Sequence, residues 1–255
     1  IKEVLSIDIL DIYTTRKIYE ARPELIVAVG EKALKEVSNI KDIPILYTMV
    51  LHPYSIVENK NNISGISMHI PANKQLTVFL DVLPQVKTIG VLYTSDEERE
   101  ILPSIKNATQ KHGVALNERL VDKPQSIPAI LTDIKNKIDA LWILPNTKIV
   151  TPETTEYLIL FSMENNIPIL TFSENQTQLG ASISLNIDPY DMGKQTGQMA
   201  TLLFKNQNKP VLIKEQEAMT AKISINQAVV MNMQLTLNEK YKNVQTVKFH
   251  LANLQ

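Results

Sequence analysis

The sequence alternates between short runs of apolar residues and longer stretches in which apolar and polar residues alternate with helical spacing. Each apolar run has the length of one β-strand and is apolar on both faces, which is typical of a parallel sheet covered by helices on both sides. Five such runs lie at residues 24–30, 43–48, 88–94, 139–145 and 167–172. The pattern predicts an α/β protein with Rossmann-like parallel sheets.

Three helix starts follow from capping chemistry. Ser95 and Glu98 have the spacing of a capping box, and Gly113 is expected to end that helix. Thr151 and Asp188 each precede a proline, which suits the first helical position because its missing N–H would be unpaired there. All three starts follow predicted strands, where open α/β sheets place their ligand-binding loops.

A strand–helix–strand unit occurs twice. Residues 23–48 resemble residues 138–172, and Ile-Pro-Ile-Leu begins the second strand of both copies. The repeat predicts two similar lobes whose hinge crossovers lie near residues 67–71 and 185–188. We assign residues 1–69 with about 185–212 to the amino-terminal lobe, and residues 70–184 with about 213–255 to the carboxy-terminal lobe.

The repeat is incomplete at its start. The segment 114–121 follows a full strand-plus-helix unit at 88–113, whereas its counterpart at 1–10 follows no such unit in this sequence. The opening strand of a doubly wound sheet is normally central. We therefore expect either that the sequence begins downstream of the true start or that another segment takes this position.

Glycine is scarce, with seven in 255 residues, so each glycine is expected to have a backbone task. Gly30 ends a predicted strand where the chain must turn tightly into a helix. Gly193 and Gly197 lie four residues apart on one predicted helix, and we expect them to allow close helix packing rather than ligand approach.

Composition excludes several classes of function. The 26 Lys and Arg residues nearly balance 27 Asp and Glu residues, so neither nucleic acid nor an anionic membrane surface is an expected partner. The longest apolar runs are strand-sized, so no membrane-spanning segment is predicted. The absence of cysteine excludes disulfides, zinc–thiolate sites and thiol nucleophiles.

Catalytic groups are hard to find in the sequence. The four histidines are scattered and no pair has metal-ligand spacing. His112 is expected to stabilise the end of a helix, and a capping or solvated role is preferred for Glu174 and Asp188 over a carboxylate pair. We therefore expect no catalytic residue, metal or cofactor.

Polar residues gather instead at the carboxyl ends of the predicted strands. For each of them capping and ligand contact both remain open, and capping is preferred for Ser95. Together they predict capture of a small polar molecule in a cleft faced by the loops of both lobes, with the amides of Glu31 and Lys32 available to an anionic group. The candidate ligand-binding residues are Gly30, Glu31, Lys32, Thr48, Met49, Tyr93, Ser95, Asn146, Thr147, Ser173, Glu174, Asn186 and Asp188.

Six segments, in order along the chain, resemble the ABC-transporter substrate-binding protein family that includes binders of tryptophan and other aromatic amino acids. They lie at residues 22–30, 42–47, 62–67, 83–93, 179–181 and 188–193. The resemblance implies the type I periplasmic binding fold. It also implies an extracytoplasmic receptor, periplasmic or lipid-anchored at the cell surface, that closes on an amino acid or related solute and presents it to an ABC permease.

The resemblance also implies which strand-end residues contact the ligand, because the family's motifs match this sequence there. They are Gly30 and the two residues after it, the loop after Tyr47, Ser95, Asn146, Ser173 and Asp188. The sequence departs from the family at His52–Pro53, where the family usually has Asp-Pro for an ammonium group. The family's first strand and its ligand-binding loop are also absent. Candidates for stacking on an aromatic solute are Tyr47, Tyr93 and Phe172.

Two other functions stay open from the sequence. One is the extracytoplasmic ligand-sensing domain of a signalling protein, and the other is a hydrolase or sugar-processing enzyme on the same fold class, which the fold alone does not exclude. The lack of an evident nucleophile disfavours the enzyme.

Overall fold

The structure, a computed structural model, describes residues 13–51, 53–58, 61–96, 101–205 and 215–254. The chain forms two compact units: the first comprises Ile1–Ile70 and Ile187–Thr220, and the second comprises Pro71–Asn186 and Ala221–Gln255. The chain thus passes between the units after residues 70, 186 and 220. The sequence places the third crossing after residue 212, earlier than in the structure, because a short strand at Gln216–Glu217 pairs within the first unit.

The elements alternate between helix and strand as predicted. The amino-terminal part contains α1 (Thr14–Ala21), β1 (Ile26–Val29), α2 (Glu31–Val37), β2 (Ile45–Val50), α3 (Tyr54–Val57) and β3 (Ile63–Ser67). The middle part contains α4 (Ala72–Val82), β4 (Thr88–Tyr93), α5 (Leu102–Lys111), β5 (Ala115–Leu120), a 3₁₀ turn (Pro124–Ser126), α6 (Ile127–Ile134), β6 (Ala140–Trp142), α7 (Pro152–Asn165), β7 (Ile169–Thr171), α8 (Glu174–Leu179) and β8 (Ile183–Asn186).

The remaining elements return to the first unit and then to the second. They are α9 (Pro189–Lys205), β9 (Gln216–Glu217), β10 (Thr220–Ile225), α10 (Gln227–Asn232), a 3₁₀ turn (Glu239–Tyr241), β11 (Thr246–His250) and a 3₁₀ turn (Leu251–Asn253). The predicted cap at Thr151 is present at the start of α7. It forms a capping box, since the Thr151 side chain accepts from the Thr154 N–H and the Thr154 hydroxyl accepts from the Thr151 N–H. The box predicted at Ser95 depends on Glu98, which lies outside the described residues.

Within the described residues, the first unit contains four sheet strands in the order β1-β2-β3-β9, and all of their pairings are parallel. One face packs against α1 and α2 through a core that includes Ile18, Leu34 and Tyr47. The opposite face meets α9, where the Thr196 hydroxyl donates to Thr48 Oγ1 at 2.9 Å. The carboxyl ends of the strands therefore lie between two layers of helices.

The sequence-based expectation that β1 is buried on both faces is wrong. Val27 and Val29 are 47% and 62% exposed, and only Ala28 is buried. Val29 pairs in register with Thr48, so its side chain lies on the α9 face, and within the described residues β1 has β2 as its single strand partner. The predicted counterpart of β5 at residues 1–10 falls outside the described part of the chain.

In the described part of the second unit, seven strands form one sheet in the order β11-β10-β8-β7-β6-β4-β5. The strands from β5 to β8 are parallel, and β10 joins antiparallel to β8. Leu131, Leu158 and Ile169 are fully buried in a core that joins α6 and α7 to this sheet. The two predicted α/β units with parallel sheets are therefore confirmed, and both present strand ends that can carry a site.

Gly65 differs from Gly193 and Gly197 in the space that is available for a side chain. A Cβ at Gly65 would lie 2.4 Å from both the ring and the carbonyl oxygen of Tyr47, so this strand position has room only for hydrogen. A Cβ at Gly193 or Gly197 would meet nothing within 4 Å. The expected close helix packing at these two positions on α9 is therefore wrong for the described part of the chain.

Candidate ligand-binding site

In the first unit, β1 and β2 bring Gly30 beside Thr48. The Gly30 N–H donates to the Thr48 carbonyl at 2.9 Å, which joins the ends of two parallel strands. Gly30 has φ +85, a conformation that glycine adopts at little cost, and α2 begins at the next residue. The predicted residues Gly30 and Glu31 thus follow β1, and Thr48 and Met49 lie near the carboxyl end of the neighbouring strand β2, at one edge of the sheet.

Met49 has an unusual backbone. Its φ is +57, and the pairing register between β2 and β3 shifts between Tyr47 and Val50. A non-glycine residue in this region costs about 1–3 kcal/mol, and such strain and β-bulges are concentrated near functional sites, where they redirect side chains. This local geometry supports a functional role for the end of β2.

The start of α2 is less suited to an anion than the sequence suggests. Glu31 lies in the first helical turn, and its carboxylate forms an exposed ion pair with Lys35 at 2.5 Å. This carboxylate would repel an anion at the amides of Glu31 and Lys32. The side chains of Glu31 and Lys32 are both exposed at the surface of α2.

Asp188 caps α9 in the structure. Its Oδ1 accepts from the N–H groups of Tyr190 at 2.9 Å and Asp191 at 3.2 Å. It precedes Thr196, the partner of Thr48, by eight residues, a distance of about 12 Å along a helix. The structure therefore shows capping for Asp188 and does not bring it next to Thr48.

Tyr47 is unsuited to stacking on a solute, because its side chain is 1% exposed and its ring packs over Gly65. Burial, and then the negative charge of Glu215, raise the pKa of Tyr47 well above its usual range. The same two causes raise the pKa of the more exposed Tyr54. Both hydroxyls therefore stay protonated beside a carboxylate that the sequence did not single out.

In the second unit, Asn146 connects the loop after β4 to the loop after β6. Its amide nitrogen donates to Thr94 Oγ1 at 3.0 Å, and its Oδ1 accepts from the N–H of Lys148 at 2.7 Å and of Ile149 at 3.3 Å. An ion pair between Asp96 and Lys148 joins the same two loops. The Asn146 side chain is thus largely committed to holding this edge of the sheet in place.

The other predicted residues of the second unit's strand-end loops differ in exposure. Tyr93 ends β4 and is half-buried, whereas Ser95 and Thr147 are exposed. Ser173 follows β7, is half-buried and does not cap α8 with its side chain. Its hydroxyl is therefore better placed than the Asn146 amide to meet a solute.

Glu174 belongs to a polar cluster formed by α8, β8 and β10. Glu174 Oε2 lies 2.5 Å from Lys222 Nζ, and Oε1 accepts from the Ser224 hydroxyl at 3.3 Å. Lys222 pairs in register with Asn186, and Ser224 with Ser184, so all four side chains lie on one face of the sheet. We call Glu174, Ser184, Asn186, Lys222 and Ser224 the Glu174 cluster.

Sequence reasoning named Glu174 and Asn186 but missed Lys222, Ser184 and Ser224. The available signal was the alternation of polar Thr220, Lys222 and Ser224 with apolar Ala221, Ile223 and Ile225, which predicts a strand with one polar face. The antiparallel pairing to β8 could not be read from it.

Within residues 13–51, 53–58, 61–96, 101–205 and 215–254, no group of three or more His, Asp or Glu side chains could hold a metal ion. No helix of this part of the chain is both long and apolar enough to cross a membrane. His112 contacts Asn73 at 3.1 Å and Thr77 at 3.2 Å, which links α5 to α4.

Comparison with known proteins gives consistent results. Residues 8–247 match the family described as ABC transporter substrate binding protein. A tyrosine-binding protein of Clostridioides difficile (strain R20291) is 25% identical over 193 residues, which is 72% of this chain and 55% of that protein. The chain therefore spans about half the length of this curated relative.

Solved structures share the fold. An ABC domain in complex with L-Trp from Streptococcus pneumonia is 23% identical with a TM-score of 0.66, covering 91% of this chain and 80% of its own. A ligand-free, open substrate-binding protein with adhesive properties from Clostridium difficile is 22% identical with a TM-score of 0.74, covering 90% and 79%.

The family match extends over most of the sequence, and the two α/β units agree with it. The predicted family and fold class are therefore confirmed: the chain belongs to the ABC transporter substrate-binding protein family and has the type I periplasmic binding fold.

Proposed function

We propose that this protein is the extracytoplasmic receptor of an ABC importer and that it captures an α-amino acid, with an aromatic side chain as the preferred class. The observation that carries the proposal is the row of polar groups along the carboxyl edge of the second unit's sheet. Asn146, Ser173, Glu174 and Lys222 supply an amide, a hydroxyl and both signs of charge there.

The chemistry of this row suits binding better than catalysis. Lys222 and Ser224 are both bound to the Glu174 carboxylate, and neither contacts a histidine base within the described residues. An amino acid offers a carboxylate, an ammonium and a side chain, which match such a row of fixed polar groups. The curated relative that binds tyrosine supports an aromatic side chain as the first choice.

Closure of the two units on the solute is the mechanical part of the proposal. If strand-end residues of both units contact one amino acid, the closed state gains contacts that the open state lacks, and binding shifts the population toward closure. A permease that recognises the closed state would then receive loaded receptors in preference to empty ones.

The proposal is tested by calorimetry and thermal melting with L-tyrosine and L-tryptophan. An amino acid at one hundred times its dissociation constant should stabilise the protein by about 2.7 kcal/mol. Ser173→Ala should weaken binding with little change in the melting temperature without ligand. Ser126→Ala, in the 3₁₀ turn after β5, is the matched control and should bind like the wild type.

Asn146→Ala should behave differently, because it removes hydrogen bonds to Thr94, Lys148 and Ile149. We expect it to lower both amino-acid affinity and stability without ligand. If none of the twenty amino acids changes the melting temperature of the wild-type protein, the proposed function is wrong.

A further inference from the structure

The second unit contains a charge pair with no evident task in the fold. Glu174 and Lys222 are 48 residues apart in sequence and meet where β7 ends and β10 begins. Their side chains are 36% and 19% exposed, respectively, so both are reachable from solvent and partly shielded from it. A charge pair in such a position contributes little net stability, because desolvation offsets most of its attraction.

The position of this pair is that of a ligand contact. Glu174 begins α8, three residues after the end of β7, and Lys222 stands opposite Asn186, the last residue of the parallel strand β8. Ligands of open α/β sheets bind outside the carboxyl ends of the strands. Charges with little water around them also interact more strongly with an added charge than fully exposed charges do.

The pair has unused hydrogen-bonding capacity. A lysine ammonium has three donors and a carboxylate has about four acceptor sites. In the described part of the chain, Lys222 Nζ contacts Glu174, and Glu174 contacts Lys222 and Ser224. Each charged group can therefore bind a further partner of opposite charge without breaking the pair.

The surroundings of the pair are also polar and incompletely bonded. Ser184, opposite Ser224 on the neighbouring strand, and Thr177, on α8, both have buried hydroxyl oxygens without a hydrogen-bond partner among the described residues. A buried hydroxyl without a partner is costly, and it commonly marks the position of a water or a ligand group. The face carrying the Glu174 cluster therefore includes hydroxyl groups whose hydrogen-bonding capacity is not used within the described residues.

We propose that Glu174 and Lys222 form the subsite for the zwitterionic head of an α-amino acid, with Glu174 binding the ammonium and Lys222 binding the carboxylate. The proposal rests on the amino-acid receptor function and assigns the part of the ligand that is common to all amino acids. An α-amino acid carries both charges on one carbon, so it can lie against the pair with each charge beside its opposite. The four charges then alternate in sign around the subsite.

The assignment predicts which ligand group each side chain recognises. Tyramine has the ammonium but no carboxylate, and 3-(4-hydroxyphenyl)propionate has the carboxylate but no ammonium. Lys222→Met should weaken L-tyrosine binding by about tenfold or more, while tyramine binding is not weakened. Glu174→Gln should weaken L-tyrosine binding to a similar extent, while 3-(4-hydroxyphenyl)propionate binding is not weakened.

The experiment is isothermal titration of these three compounds into the wild type and each variant, with L-tryptophan, tryptamine and indole-3-propionate as a second series. Lys106→Met is the matched control, because Lys106 forms an ion pair with Glu118 beside β5 in the same unit. This control should bind all compounds like the wild type.

A second measurement uses the unaltered protein, in case a variant does not fold. Reductive methylation of Lys222, followed by mass spectrometry, should slow several-fold when saturating L-tyrosine is present, while Lys106 is methylated at an unchanged rate. Equal methylation of Lys222 with and without bound tyrosine would overturn the subsite.

Failure of the subsite differs from failure of the receptor function. Suppose that the wild type binds L-tyrosine or L-tryptophan, but that each variant binds the amino acid and both analogues more weakly to the same extent. The two side chains then do not recognise the head group, and only the subsite proposal is wrong. If the wild type binds no amino acid at all, the receptor function falls with it.

Discussion

Replacing Gly65 by alanine should destabilise the first unit strongly. Gly65 lies in β3 directly opposite Tyr47 of β2, and a Cβ there would be 2.4 Å from the Tyr47 carbonyl oxygen and 2.4 Å from ring atom Cγ. Side-chain Cβ atoms essentially never approach so closely. Neither neighbour can move easily, because one is backbone in a paired strand and the other is a ring that is 1% exposed.

The magnitude follows from the cost of overpacking a core. Insertion of a methyl group into a filled core costs about 1–3 kcal/mol, and the upper end applies here because backbone is involved. We expect Gly65→Ala to lower the free energy of unfolding by roughly 3 kcal/mol. Part of this cost should disappear in a Tyr47→Ala background, where the ring is absent but the carbonyl oxygen remains.

Urea denaturation followed by circular dichroism measures this effect, with Gly193→Ala as the matched control. Gly193 is exposed on α9 and a Cβ there meets nothing within 4 Å, so alanine should stabilise the protein by about 0.5–1 kcal/mol. If Gly65→Ala is as stable as the wild type, the packing of Tyr47 over Gly65 is not as described.

Substitutions at three further positions test particular features of the structure, each by urea denaturation. Met49→Val should cost about 1–2 kcal/mol, because a β-branched residue tolerates φ +57 poorly, whereas Met49→Asn should cost less; equal losses would contradict the strained backbone. Tyr241→Phe removes a hydrogen bond of 2.7 Å to Asp81 and should cost about 1–2 kcal/mol at neutral pH. Burial, then this hydrogen bond, raise the pKa of Tyr241. Its contribution is therefore present below about pH 10, the unfolded value, and is lost as the pH rises further. The wild type should accordingly lose stability more steeply than Tyr241→Phe above about pH 10. Thr151→Ala removes the capping box with Thr154 and should cost about 1 kcal/mol, and an unchanged denaturation midpoint would show that the box contributes nothing.

The sheet strands were predictable because burial on both faces leaves a local pattern. The apolar runs at 88–94, 139–145 and 167–172 became β4, β6 and β7, whose side chains are almost all buried. The run at 24–30 has the same pattern, yet Val27 and Val29 are exposed. An apolar run shows that a strand can be buried on both faces. Whether helices actually pack against both faces depends on other parts of the fold.

The candidate site was only partly predictable for a similar reason. Strand-end position can be read from sequence, and it located Glu174 and Asn186. It did not locate Lys222, because the antiparallel pairing of β10 with β8 brings Lys222 to Glu174 from 48 residues away. Strand-end position also did not show that the Asn146 side chain forms hydrogen bonds with Thr94 and with the Lys148 N–H.

The sequence by itself determined the α/β class, the repeated strand–helix–strand unit, most strand positions and the caps of α7 and α9, because each depends on residues close together in the chain. Only the tertiary structure decided which strand is exposed, where the chain passes between the two units for the third time, and which side chains form an ion pair at the edge of the second sheet. These features depend on contacts between distant segments, and such contacts leave no periodic trace in the local order of residues.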